Sequence, residues 1–444
     1  MWSALFFGGA LALGQPPSPL PKQPPALNAS AGAGMALPAP NCEQPPAVSP
    51  LASTPTLTIE VPPAPPVQPG TTKPALIPPD RWPLMQALQG TWYGEALNDN
   101  RLSISGWTQG AFTASTDRVT QLPVTFNYRA NDFLLQQNWL RLERTVDQSA
   151  TTPTWGFRSD TILPGADYRF TLARGLLNSQ LTANNGNPNL YGFDPVQFYG
   201  ELYLPQVGRG MDVKLGRYYA QFGVESIDTT QNALISHAYN FQYNPFTQTG
   251  LLTTTKLNDA WLVQNGMVTG SDMFIGPEAN PTYIGSVKWA PPSGRDSVLF
   301  SVILGEGRYN TARAFSNPEL FDLVYTHKFN DRLTYALDAL YSFQRRFPGV
   351  GASGFVNNWG WVNYLTYQFA PKLSGTMRGE LFGDPQGQRT GTRGIYQELT
   401  AGLTYKPQPW LWFRQEVRYD HNDHRPYEGK PDLFTAAFDF ILHW

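Results

Sequence analysis

From about residue 101 to the C-terminus, hydrophobic and polar residues alternate with a period of two, the pattern of extended strands. The last segment shows it most cleanly. Phe434, Ala436, Phe438, Phe440, Leu442 and Trp444 share one face. Leu433, Thr435, Ala437, Asp439, Ile441 and His443 share the other. The same alternation recurs in 331–343, 195–205 and 409–419. Segment 211–222 breaks it, because Arg217 falls on the apolar face, so a bulge or register change is expected there. Sixteen strands are predicted, within a range of 14–18.

The connections say more than the strands. Turn signals such as Pro291-Pro292-Ser293-Gly294, Phe329-Asn330-Asp331 and Ala370-Pro371-Lys372 separate some strand pairs. Longer polar stretches separate the others: 114–130, 164–194, 223–247, 270–281, 305–318, 344–357, 384–394 and 420–432. Strict alternation of short and long connections is what a transmembrane barrel requires, with tight turns at one rim and long loops at the other. The fold class expected is therefore all-β, a closed antiparallel transmembrane β-barrel over 101–444. Closure satisfies every backbone group in lipid and leaves no strand edge.

Composition supports this. Charged residues make up only 15%, against 13 Trp, 21 Tyr and 26 Phe. No apolar run reaches the ~18 residues of a membrane helix. A net charge of −2 gives no basic face for nucleic acid. The single cysteine, Cys42, excludes an intramolecular disulfide and a four-cysteine zinc site.

The N-terminal part is different material. Residues 1–14, MWSALFFGGALALG, resemble a signal peptide without the usual basic start. Twenty of the 40 prolines lie in the first 80 residues. Segment 15–80 is therefore expected to be a disordered Pro-rich tether, placed in the periplasm. Residues 81–100 read as a short helix opening at Pro83 and ending at Gly90, or a connector. Lipidation at Cys42 is not expected, and the sequon Asn28-Ala29-Ser30 carries no weight in such a segment.

Three stretches resemble a known family: Tyr191 to Pro195 leading to Glu201–Pro205, Gly216 to Glu225, and Asn244 to Gly250. They are similar to the OmpL-like β-barrel porins of planctomycete type, over about 101–444. The resemblance implies an outer-membrane pore that passes small hydrophilic solutes or ions by passive diffusion. It carries no catalytic or ligand residues. Its expected partners are outer-membrane lipid, the barrel assembly machinery and the solutes themselves. A homotrimer follows only by analogy with sixteen-stranded porins.

No hydrolase elbow, phosphate loop or zinc-protease motif is present, and no cofactor or metal is expected. Ser353 lies in an incomplete elbow, Gly351-Ala352-Ser353-Gly354. His421 and His424 read as residues of a solvated loop, and His443 as a lumen hydrogen-bond partner of Asp439.

By alternation, Arg141, Glu143, Arg378, Glu380, Arg414, Glu416 and Arg418 face the lumen. Strands two and fifteen flank the closure seam, three steps or roughly 14 Å apart. Arg141, Arg414 and Arg418 form a basic patch there unless Glu143 and Glu416 neutralise them. The third long loop, 223–247, is expected to fold inward and narrow the pore, with Glu225, Asp228 and His237 facing the channel. Phe438, Phe440, Leu442 and Trp444 are the expected assembly signal. The alternative reading is a barrel anchor that tethers the outer membrane to the cell wall, or to a partner, through the Pro-rich segment.

Overall fold

A computed structural model describes residues 82–276, 279–305, 318–345, 347 and 354–444. The signal-like segment, the Pro-rich stretch with Cys42 and the Asn28 sequon, and Ser353 lie outside the described residues.

Sixteen strands close into one antiparallel barrel, each paired with its neighbours in sequence and β1 paired with β16. They are β1 (Leu102–Ser115), β2 (Asp132–Arg144), β3 (Thr154–Gly165), β4 (Gly192–Leu204), β5 (Met211–Tyr219) and β6 (Thr247–Lys256). Next come β7 (Trp261–Ser271), β8 (Thr282–Trp289), β9 (Asp296–Leu304), β10 (Glu319–Lys328) and β11 (Leu333–Gln344). The last are β12 (Val356–Ala370), β13 (Leu373–Asp384), β14 (Gly394–Gln408), β15 (Leu411–His421) and β16 (Asp432–His443). Every strand expected from the sequence is present, with ends shifted by a few residues. Phe434, Phe438 and Leu442 project outward, and the opposite face of β16 is buried. Exposed Leu, Phe, Met and Val side chains of the other strands continue this apolar outer band.

Closure is completed by the terminal residue. Trp444 donates its N–H to the Gly106 carbonyl at 2.9 Å and accepts from the Gly106 N–H at 2.9 Å. A Cβ on Gly106 would stand 2.1 Å from the Trp139 carbonyl and 2.4 Å from the Trp444 ring, so a side chain there must shift both the β2 backbone and the indole.

The expected disturbance near Arg217 is not a bulge. β5 runs in unbroken register with β4 and β6. Arg217 is tolerated because it is fully satisfied: its guanidinium donates to Asp194 at 2.7 Å and to the carbonyls of Pro195 and Thr171. Thr171 belongs to a one-turn helix, α3 (Tyr168–Thr171), in the second long loop.

Among the described residues, two helices precede the barrel: α1 (Pro83–Ala87) and α2 (Trp92–Asp99). Pro83 opens α1, where its missing N–H costs nothing. The sequence reading missed α2, although Thr91 was an available signal. Its hydroxyl caps the helix by accepting from Gly94 N at 3.1 Å. Together α1 and α2 cover the end of β1 that extends beyond β16. The Met85 sulfur accepts from the Ile104 N–H there.

Candidate functional site

The third long loop, 220–246, folds into the barrel. It carries the helix α4 (Tyr239–Gln242). Between 221 and 249 only Gln231 and Ala233 are exposed. The loop is held through its backbone, by wall side chains spread around the barrel.

Carboxylates take its N–H groups. On β10 and β11, Asp322 accepts from Gly223 at 2.9 Å and Asp338 from Val224 at 3.2 Å. Glu380 on β13 accepts from Tyr239 and Asn240, both at 2.6 Å. Glu416 on β15 accepts from Ile235 at 2.7 Å and Ser236 at 3.0 Å. Guanidinium groups take its carbonyls. Arg414 donates to Thr229, Asn232 and Leu234. Arg378 donates to Ser236, and Arg418 to His237. Charge-assisted bonds of this kind are roughly twice as strong as neutral ones.

The ion pairs explain why so many charges survive burial. Arg414 pairs with Asp439 at 2.6 Å and Arg418 with Asp420 at 2.7 Å. Arg378 bridges Glu225 at 2.7 Å and Glu398 at 3.1 Å. Arg141 holds Asp160 at 2.8 Å and Asp228 at 3.1 Å. A buried charge is tolerated only when paired and hydrogen-bonded, and each of these is. Within the loop, burial favours the neutral form of Glu225. The adjacent Arg378 guanidinium and the His237 hydrogen bond outweigh it and bring that carboxyl down to about 2. Burial pushes His237 below its ordinary range, so it is held neutral against Glu225 at 2.8 Å.

These contacts correct several expectations. Arg141, Arg378, Glu380, Arg414, Glu416 and Arg418 each bond to loop 220–246 inside the barrel. The basic patch does not form, but its neutralising partners are Asp160, Asp228, Asp439 and Asp420, not Glu143 and Glu416. Glu143 accepts from Ser103 at 3.4 Å, and Glu416 serves the loop backbone. Glu225, Asp228 and His237 do not face an open channel. They are buried against Arg378, Arg141 and the loop itself, because an unpaired guanidinium on the wall costs more than a solvent-facing carboxylate gains. No transverse field across an aqueous gap is set up by these pairs.

Aromatic packing thickens the same plug. Phe126 of the first long loop, Phe170 of the second, and Phe241 and Phe246 of the third form one cluster with wall residues Trp107 and Trp139. Phe222 fills the opposite side among Leu252, Ile284, Ile303 and Leu340. A Cβ on Gly360 would stand 2.2 Å from the Asn240 side chain, so this glycine makes room for α4. Tyr239, Phe241, Tyr243 and Phe246 hint at this inward packing in the sequence, but not at the partners, which come from strands far away in the chain.

Below the loop tip, toward the short-turn rim, lies a cavity of about 240 Å³ against β10–β13. At that rim Trp82 stacks on His443 at 4.1 Å, and Trp412 lies 4.8 Å from the same ring. His443 is therefore an aromatic platform, not a partner of Asp439, which is occupied by Arg414 and Gln109. At the opposite rim His421 is bonded to Asp432 at 2.7 Å and Asp423 at 3.2 Å.

Comparison with known proteins agrees with the architecture. The barrel is similar to the outer-membrane channel DcaP of Acinetobacter baumannii, with a TM-score of 0.52 at 11% identity, over 77% of this chain and 97% of that one. It is similar to the anion-selective porin of Comamonas acidovorans, TM-score 0.52 at 9% identity, over 77% and 99%. It is also similar to OprB of Pseudomonas putida, TM-score 0.53 at 11% identity, over 80% and 96%. At such identities the likeness establishes the fold. No curated protein matches the chain in sequence. The family described as "Putative beta-barrel porin-2, OmpL-like" matches residues 101–443. The chain belongs to that family and is an outer-membrane porin, a channel for passive passage.

Proposed function

We propose that this porin is a gated diffusion channel for small hydrophilic solutes, with loop 220–246 as the gate in its closed position. The observation that carries the reading is the set of wall carboxylates and arginines bonded to the loop backbone. A loop held by its N–H and carbonyl groups is released as a unit when those bonds exchange for water. Arg141, Glu143, Arg378, Glu380, Arg414, Glu416 and Arg418 are then the wall of the opened pore. Glu225, Asp228 and His237 move with the gate. Phe438, Phe440, Leu442 and Trp444 serve the barrel assembly machinery. The short-turn rim and the N-terminal segment face the periplasm, as in other outer-membrane barrels. A homotrimer is the expected oligomer, and the mass of the detergent-solubilised complex reads it.

The seating of Trp82 on His443 supports a second reading, a barrel anchor that transmits load from the segment before residue 82. Planar-bilayer recording of the full chain and of a chain lacking 15–80 separates the two. A gated channel gives brief, discrete openings in both. An anchor alone gives none in either.

A further inference from the structure

We propose that the cavity between the loop tip and β10–β13 is a binding site for a small, uncharged, polyhydroxylated solute of monosaccharide size. This rests on the channel reading and names the solute class.

The site is built on small inward-facing residues. Thr326 on β10, Thr334 on β11, Thr366 on β12 and Thr376 on β13 line it. Register places Thr334 opposite Thr366, and Thr366 opposite Thr376. Four adjacent strands thus present hydroxyls to the cavity. Thr366 and Thr376 share one hydrogen bond at 2.9 Å, which leaves the pair one hydroxyl proton and further lone pairs for a ligand. Each hydroxyl both donates and accepts, so the row matches a ligand whose groups do the same.

The opposite side is the loop tip, where exposed Gln231 adds an amide. Between the polar rows lie Val224, Leu234 and Ala336, an aliphatic patch suited to the C–H face of a sugar ring. Charge is the deciding feature. Among the described lining residues Glu225 is the one ionised side chain, and it is consumed by Arg378, His237 and the Tyr364 hydroxyl. A charged solute would lose its water there and find no counter-charge, which is costly. An uncharged polyol exchanges its water bonds for hydroxyl and amide bonds at little net loss. A threonine row on sequential strands also fixes spacing, since neighbouring strands stand about 4.8 Å apart. That is close to the distance between hydroxyls on alternate carbons of a six-membered ring.

The test has two arms. Isothermal titration of the detergent-solubilised full chain with glucose, with glutamate and with lysine reads binding without conduction. Saturable binding of glucose, with at least tenfold weaker binding of either charged solute, is expected. Thr366→Val and Thr334→Val should each weaken glucose binding about fivefold or more while leaving the heat-modifiable barrel intact. Ion current through the full chain in a planar bilayer, recorded with increasing glucose, should fall with the same concentration dependence. Current without glucose binding overturns the site and leaves the channel standing. Glucose binding without current in the full chain and in a gate-loosened Glu416→Ala variant overturns the channel reading instead. Equal binding of glucose and glutamate, or valine variants that bind as the parent does, overturns the proposal.

Discussion

Glu416 gives the sharpest handle on the gate. Both its oxygens accept loop N–H groups, at 2.7 and 3.0 Å. Neighbouring Arg414 and Arg418 keep their own partners, Asp439 and Asp420, when it is removed. Glu416→Ala therefore leaves no guanidinium unpaired and acts mainly on the loop. Hydrogen bonds to a charged group contribute about 1.5–3 kcal/mol each, and an N–H left buried without a partner costs about 1–3 kcal/mol. Against this, the wild-type carboxylate is desolvated when the gate closes, which lowers the net gain of closing. A net shift of about 3 kcal/mol toward the open position follows, roughly a hundredfold in the open population at 1.4 kcal/mol per decade. Single-channel recording reads it as more frequent or longer openings. Heat-modifiable mobility confirms that the variant is folded. An intact Glu416→Ala barrel with wild-type open probability would refute the idea that backbone capture by wall carboxylates holds the gate.

Three further outcomes are expected. Gly360→Val places a side chain where Asn240 packs, so the loop end carrying α4 should be displaced and base-line current should rise, while a silent, folded variant would count against the packing argument. Asp272, just past the end of β7, accepts from Phe246 and Thr247 N–H groups, and burial pushes its carboxyl up to about 7. A raised acid pKa stabilises the fold fully below about pH 4 and loses that contribution as pH climbs through 7. Amide exchange at Phe246 and Thr247, corrected for its intrinsic pH dependence, should accelerate above pH 7 in wild type but not in Asp272→Asn; parallel curves would dismiss the carboxyl. Trp444→Asp puts a charge on the outward face of the closing strand, so outer-membrane abundance should fall with periplasmic degradation, and normal abundance would contradict the assembly role.

The barrel was legible because both of its signals are local. Period two in β16 and the Pro-Pro-Ser-Gly turn at 291–294 each occupy a few consecutive residues, and closure follows from counting them. Loop 220–246 was half legible. Tyr239, Phe241, Tyr243 and Phe246 pointed inward, since an exposed loop gains nothing from them. Its anchors could not be read, because Asp338, Glu380 and Glu416 meet it from strands 98 to 181 residues away. The same limit misassigned the arginines. Glu143 and Glu416 were read as partners of Arg141, Arg414 and Arg418, whereas Asp160 opposite Arg141 and Asp439 opposite Arg414 pair across strands, and Arg418 takes Asp420, which is as near to it along the same strand as Glu416. Two-residue periodicity identifies a face, but the register between strands decides which charges meet on it.

If loop 220–246 closes the channel, its removal leaves the barrel open. Deleting 229–241 removes the segment bonded to Arg414, Glu416 and Glu380 while keeping all sixteen strands. Single-channel recording of that deletion beside the full chain is the most direct measurement. A large, steady conductance in the deletion, against brief openings in the parent, is the predicted result. Equal conductance from two correctly inserted barrels would show that the loop does not gate the pore.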